Sequence, residues 1–265
     1  TPPEVDVAKY GITLPHAEAA MSTAYADAPN IIGVGTELLV DAEPAGDAQG
    51  VVEDGKLQRQ DALFQVLVAR RSSWREQHPG AALPGLAVLW FDESTPLSVF
   101  KSAFQTAAFA GYPSFQIAVR RSGATAPGVS YLPFEARVPG PPNSEALPSA
   151  SFALHIEYST GGKIQLVWKA LARVERVTTF LEQATSIEER LTQLPRGIED
   201  EWQRFGGHRS AEDRQLDQAV VHLPNDQLLT TAVRMLDAAY APKRDYRKDG
   251  EVLRVPAFNV TFSVN

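Results

Sequence analysis

A chain of 265 residues has room for one large domain or two ordinary ones, and 44% hydrophobic against 22% charged residues supplies a packed core rather than a disordered coil. The formal charge of −7 argues against broad nucleic-acid binding, which rests on Lys and Arg neutralising phosphates, so any basic contact surface has to be local. The absence of cysteine excludes disulfides, thiolate metal sites and a Cys nucleophile, and no apolar run reaches the roughly 18 residues that span a bilayer.

The chain starts on Thr1 rather than Met, which is expected of a processed product or an excised piece and leaves room for a signal or anchor helix upstream. Residues 1–35 hold Pro, Ala and scattered polar residues in no sustained period and read as an extended lead-in. IIGVGTELLVDAE and VVEDGKLQ are then two short strands, the second ending at an Asp54-Gly55 turn. From Asp61 the spacing of Leu63, Val66, Leu67, Arg70 and Trp74 predicts a helix that stops before PGAALPG. LAVLWF is too short and too uniformly apolar for a surface helix, so it reads as a buried strand of the parallel type. Thr95 is placed as N-cap of the next helix with Pro96 at its first position, Gly111 is its stop, and FQIAVRR is the strand that follows.

The Pro, Gly, Ser and Ala of residues 122–150 read as a linker, with VSYLPFEARV as an edge strand inside it. Beyond it, SFALHIEYSTGGKIQLVWKA alternates on both sides of Gly161-Gly162 and predicts a hairpin, which RVERVTTFLE extends. Thr185 with Glu188 is a capping box, opening a helix whose stripe is Ile187, Leu191, Leu194, Ile198, Trp202 and Phe205, with a kink expected at Pro195 and an end at Gly206-Gly207. QAVVHLP, DQLLTTAVRMLDAAYA and PAFNVTFSV are strand, helix and strand. Both halves thus read strand, strand, helix, strand, helix, strand. The fold class expected is α+β: two tandem ββαβαβ modules, each a small mixed sheet with two helices on one face, at 36–121 and 151–265.

A strand followed by Asp92, the helix PLSVFKSAFQTAAFAG and the strand FQIAVRR, preceded by EDGKLQRQDALFQVLVARR, resembles the periplasmic domain of the ExbD/TolR family of biopolymer transport proteins. NDQLLTTAVRMLDAAYA and PAFNVTFSV are the corresponding residues of the second copy. The resemblance implies a periplasmic envelope protein, an ExbB/TolQ/MotA-like membrane partner that couples to the proton gradient, and contact with peptidoglycan. The family carries its proton-bearing Asp in a membrane helix, so no residue here takes that role. Family members pair by dimerisation; two modules in one chain imply a monomer with an intrachain pseudo-dimer.

The five histidines show no HExxH or other close metal-ligand spacing, and His155 and His222, both in strands, read as half-buried sheet residues. GVG at Gly33 to Gly35 lacks the rest of a dinucleotide fingerprint and reads as a turn or bulge. With no G-x-S-x-G elbow, phosphate loop or kinase set, no enzyme and no cofactor is expected. Asp92 and Asp226 follow their strands at similar places, as a matched pair of ligand contacts or as helix-entry hydrogen-bond acceptors. Arg70, Arg71 and Arg75, then Arg120 and Arg121, then Lys243, Arg244, Tyr246, Arg247 and Lys248 are basic clusters that would receive the carboxylates of a peptidoglycan stem peptide, or are plain solvated surface. The function expected is binding of a protein partner or peptidoglycan; an envelope hydrolase or transferase, with its site between the modules, and a purely structural adaptor are the alternatives.

Overall fold

The computed structural model describes residues 5–20, 27–121, 129–137, 152–159, 161–170, 173–180 and 186–264. In chain order the first half holds β1 (Asn30–Val34), β2 (Glu37–Val40), β3 (Glu43–Asp47), the short pair β4 (Val52–Glu53) and β5 (Lys56–Leu57), α1 (Asp61–Gln77), β6 (Leu86–Phe91), α2 (Leu97–Phe109), β7 (Ser114–Arg120) and β8 (Val129–Arg137). The second half holds β9 (Ala153–Tyr158), β10 (Ile164–Ala170), β11 (Arg173–Phe180), α3 (Ile187–Phe205), β12 (Asp217–His222), α4 (Leu229–Tyr240), β13 (Lys243–Lys248), β14 (Glu251–Pro256) and β15 (Phe258–Ser263).

Two small ββαβαβ modules are not what these elements build. The strands fall into an eleven-stranded mixed sheet, ordered β11-β10-β9-β12-β15-β8-β7-β6-β1-β2-β3, and two two-stranded ribbons. The first half opens on a three-stranded antiparallel meander where two strands were expected, and in the second β11 extends the β9–β10 hairpin, as RVERVTTFLE was expected to do. IIGVGTELLVDAE is not one strand because Gly35, at φ 61°, reverses the chain between Val34 and its partner Glu37. From the meander on, the strand order is third, second, first, fourth, fifth in both runs, as β3-β2-β1-β6-β7 and β11-β10-β9-β12-β15.

Contacts divide the chain into two compact units, the first holding Thr1–Val138, Asn225–Val233 and Val264. In it β6 lies parallel to both β1 and β7, as its uniform apolar run predicts. One face carries Phe91, Phe115 and Phe134 against Phe100 and Phe104 of α2, with ring centroids 5.4 Å apart for Phe91–Phe100 and for Phe104–Phe134. The other face carries Ile32, Val88, Trp90, Ala118 and Tyr131, and it is covered by Ile12 and Leu14. The lead-in is therefore part of the core: the Ala17 amide donates to the Arg120 carbonyl at 3.0 Å and the Arg120 amide to the Pro15 carbonyl at 2.8 Å. VSYLPFEARV, expected in a linker, is β8, which pairs with β7 from Ser114↔Glu135 to Arg120↔Val129 and buries Leu132 and Phe134. Pro133 sits in that strand, while Pro127, Pro139, Pro141, Pro142 and Pro148 lie outside the described residues.

The helix entries depart from the expected caps. Pro96 rather than Thr95 precedes α2, and no side chain caps it. Instead the entry loops of α2 and α4 cap each other: Leu97 donates to the Gln227 carbonyl at 2.7 Å and Ser98 to that of Asn225 at 3.2 Å, while Leu229 donates to Thr95 at 2.9 Å and Thr230 to Glu93 at 3.1 Å. Four of the N–H groups that a helix start leaves unpaired are satisfied this way.

The second unit holds Pro139–Pro224, Arg234–Ser263 and Asn265. Here β12 is parallel to β9 and to β15, and alternation puts Leu154, Ile156, Leu166, Trp168, Ala219, Val221, Val260 and Phe262 on one buried face. Leu191, Leu194, Ile198 and Trp202 bury the stripe of α3. Ser186, not Thr185, caps that helix, its hydroxyl accepting from the Glu189 amide at 3.2 Å; Thr185 lies outside the described residues.

Candidate functional site

Asp92 is part of the lining of a cleft of about 340 Å³ in the first unit, with Tyr10, Gly11, Gly33, Thr36, Ser94 and Pro96 among others. Both of its oxygens are engaged: Oδ2 accepts from the Thr13 amide at 2.7 Å, and Oδ1 from the Ser94 amide at 2.9 Å and the Ser94 hydroxyl at 2.5 Å. Partial burial pushes the carboxyl up, and the Ser94 and Thr13 donors outweigh it, leaving Asp92 below its ordinary 3.8. The Glu93 amide returns a bond to the Thr13 carbonyl at 2.8 Å. Asp92 is thus a clasp that holds the lead-in to the β6–α2 loop, and the described lining of the cleft holds no histidine to serve as a base.

Asp226 is not its counterpart. Trp90 to Leu97 and His222 to Leu229 are both seven-residue steps from strand to helix, which puts Asp226 opposite Ser94. Its exposed carboxylate accepts from the Gln227 side chain at 3.1 Å. Gly33, read as part of a turn, lies within β1, where a Cβ would come within 2.2 Å of the Phe91 ring.

In the basic clusters, Arg70, Arg71, Arg120 and Arg244 are engaged by acceptors of the protein itself. Arg70 pairs with Asp41, Arg71 donates to the Ala110 carbonyl at 2.9 Å, and Arg120 donates to the Leu14 carbonyl at 2.7 Å while pairing with Glu93 at 3.2 Å. Arg244 is 2% exposed. Its guanidinium donates to the carbonyls of His208 at 2.7 Å, Ser210 at 3.1 Å and Asp213, so it fixes the loop before β12 and is withdrawn from any surface ligand. PKRDYRKDG, read as a surface charge cluster, is strand β13 and its turn, paired with β14 from Lys243↔Pro256 to Lys248↔Glu251. Tyr246 is half-buried there, Arg247 faces Glu212 at 3.4 Å, and Arg121 is exposed.

A convergence that the sequence does not announce lies in the second unit. The half-buried His155, Glu157 and His222 bring one ligand atom each within 4.8 Å of one another. His155 Nδ1 lies 2.8 Å from His222 Nε2, and the two rings stack at 5.0 Å and 11°. Glu157 Oε1 accepts from Lys169 Nζ at 2.6 Å. The signal that could have found this trio is the His-x-Glu step along one strand face, set against a histidine on the strand that becomes its parallel neighbour.

No protein-family model and no curated protein matches the chain. Among the described residues no helix is long and apolar enough to cross a membrane.

Proposed function

We propose that the chain is a non-enzymatic protein of the bacterial cell envelope, similar in role to the periplasmic part of ExbD/TolR transport systems, that binds an extended segment of a partner protein along β11. The observation that carries this is the contrast between the two outer strands of the sheet. β3 is a five-residue strand containing Pro44, and shortness and proline are how natural edges are closed to further pairing. β11 is eight residues long, has no proline, and among the described residues pairs only with β10. Val177 at its middle is 51% exposed. Such a strand leaves a row of backbone donors and acceptors that an added strand satisfies, with affinity from the main chain and selectivity from alternate side chains.

Peptidoglycan recognition through the arginine clusters draws less support, because Arg71, Arg120 and Arg244 already donate to backbone carbonyls. Selection of displayed peptides on the intact chain tests the reading. Extended, β-branched sequences are expected whose binding slows amide exchange along β11 and is lost in Val177→Pro. Peptides that protect other segments, or a variant that binds as before, would sink it.

A further inference from the structure

The sheet of the second unit has two unlike faces, and the polar one gathers the chemistry. In the parallel pairing of β9 with β12, His222 is the Cα partner of Glu157 and Val220 is the partner of His155. Partners and alternate residues share a face, so both imidazoles and the carboxylate stand on the same side of two adjacent strands. Lys169, on the neighbouring β10, reaches Glu157 from that side.

The fold does not require these residues. Aligning the two runs on Leu97 and Leu229 puts Trp90 opposite His222, and the β1–β6 and β9–β12 registers then put Asn30 and Ile32 opposite His155 and Glu157. The first unit fills these positions with Ile32 and Trp90 in an apolar cluster, covered by Ile12 and Leu14, and Asn30 accepts from the Trp90 indole at 2.9 Å. The second unit sets two imidazoles and a carboxylate, all half-buried, in the same places.

We propose that His155, Glu157 and His222 form a three-ligand site for a borderline divalent metal ion of the zinc type. Two imidazole nitrogens and one carboxylate are the donor set of such ions, whereas Ca²⁺ and Mg²⁺ are held by oxygen alone. Nitrogens at about 2.0–2.1 Å from a tetrahedral ion stand roughly 3.3 Å apart. The present 2.8 Å between His155 Nδ1 and His222 Nε2 needs to open by only about half an ångström, a small rotation of rings carried on rigid strands. At 2.8 Å one of those nitrogens donates an N–H hydrogen bond to the other; when the ion binds, that proton passes by way of solvent to the other nitrogen of its own ring, and the ion takes its place between the two. Lys169 holds Oε1 of Glu157 and so orients the carboxylate, in the way outer partners orient metal ligands. Three protein ligands leave a fourth position for water or for a donor from a bound partner.

Titration of the intact, chelator-stripped chain with Zn²⁺ tests the site. One ion per chain is expected, with affinity falling about tenfold or more in His155→Asn, His222→Asn and Glu157→Gln, and unchanged in His208→Asn. Millimolar Mg²⁺ should not compete. On the unaltered chain, two of the five histidine ring signals should move in the proton spectrum on adding Zn²⁺, a readout that does not depend on any variant folding. No uptake at tens of micromolar Zn²⁺, ligand variants that bind like the wild type, or shifts confined to the other three histidines would overturn the assignment.

Discussion

Lys101 is fully buried on α2, and loss of hydration pushes its ammonium from 10.5 down to about 8. Because the folded pKa is the lower one, between about pH 8 and 10.5 the unfolded chain holds a proton that the folded chain lacks, so stability rises with pH across that window. The gain is about 3 kcal/mol at 1.36 kcal/mol per pH unit. Urea unfolding of wild type and Lys101→Met should show the wild type gaining on the variant by that amount from pH 8 to 10.5, with a constant gap below pH 7. A gap that does not move with pH would mean that the lysine is hydrated in the folded chain. Neither Lys101 nor Arg244 announces its burial in the sequence. A cation reads as surface until the carbonyls that receive it are in place, and those of Arg244 belong to residues more than thirty positions away along the chain.

Turns show which elements are legible and which are not. Asp54-Gly55 joins β4 to β5 with φ of 49° and 72°, and its Asp-Gly signature gives the turn away. Asp249-Gly250 does the same between β13 and β14, at 53° and 87°. Its flanks, KRDYRK and EVLRVP, lack a clean apolar alternation, so the ribbon does not stand out as strands. Asp41-Ala42 joins β2 to β3 with φ of 50° and 73°, and no glycine marks it. Asp41 belongs there because its Oδ1 accepts from the Asn30 amide at 2.9 Å; Ala42 makes no comparable use of its side chain, and its left-handed backbone is strained. Ala42→Gly should therefore raise stability by about 1 kcal/mol, seen as a melting temperature a few degrees higher. A variant that melts at or below the wild type would show that the turn is held by more than its own backbone.

At the scale of the whole chain, element type and order are largely readable, and the partners of each strand are not. Periodicity reports how many faces of an element are buried, which is why LAVLWF is legible as a parallel interior strand. It does not report which strand lies alongside. VSYLPFEARV reads as an edge strand within a linker, and nothing in it names β7, with which it pairs along its length. His155 and His222 are 67 residues apart, and only the β9–β12 register makes them neighbours. The same dependence on distant backbone governs the entries of α2 and α4, whose first amides are satisfied by each other's loop rather than by local side chains. Since all of these residues belong to the first unit, amide exchange at Leu97, Ser98, Leu229 and Thr230 should be slow in the intact chain and should respond as one group to mild denaturant. A fragment ending at Val138 lacks the carbonyls of Asn225 and Gln227, so the amides of Leu97 and Ser98 should lose protection while those deeper in α2 keep more of theirs. Equal protection of the two amides in fragment and intact chain would show that another acceptor, or water, serves α2 just as well.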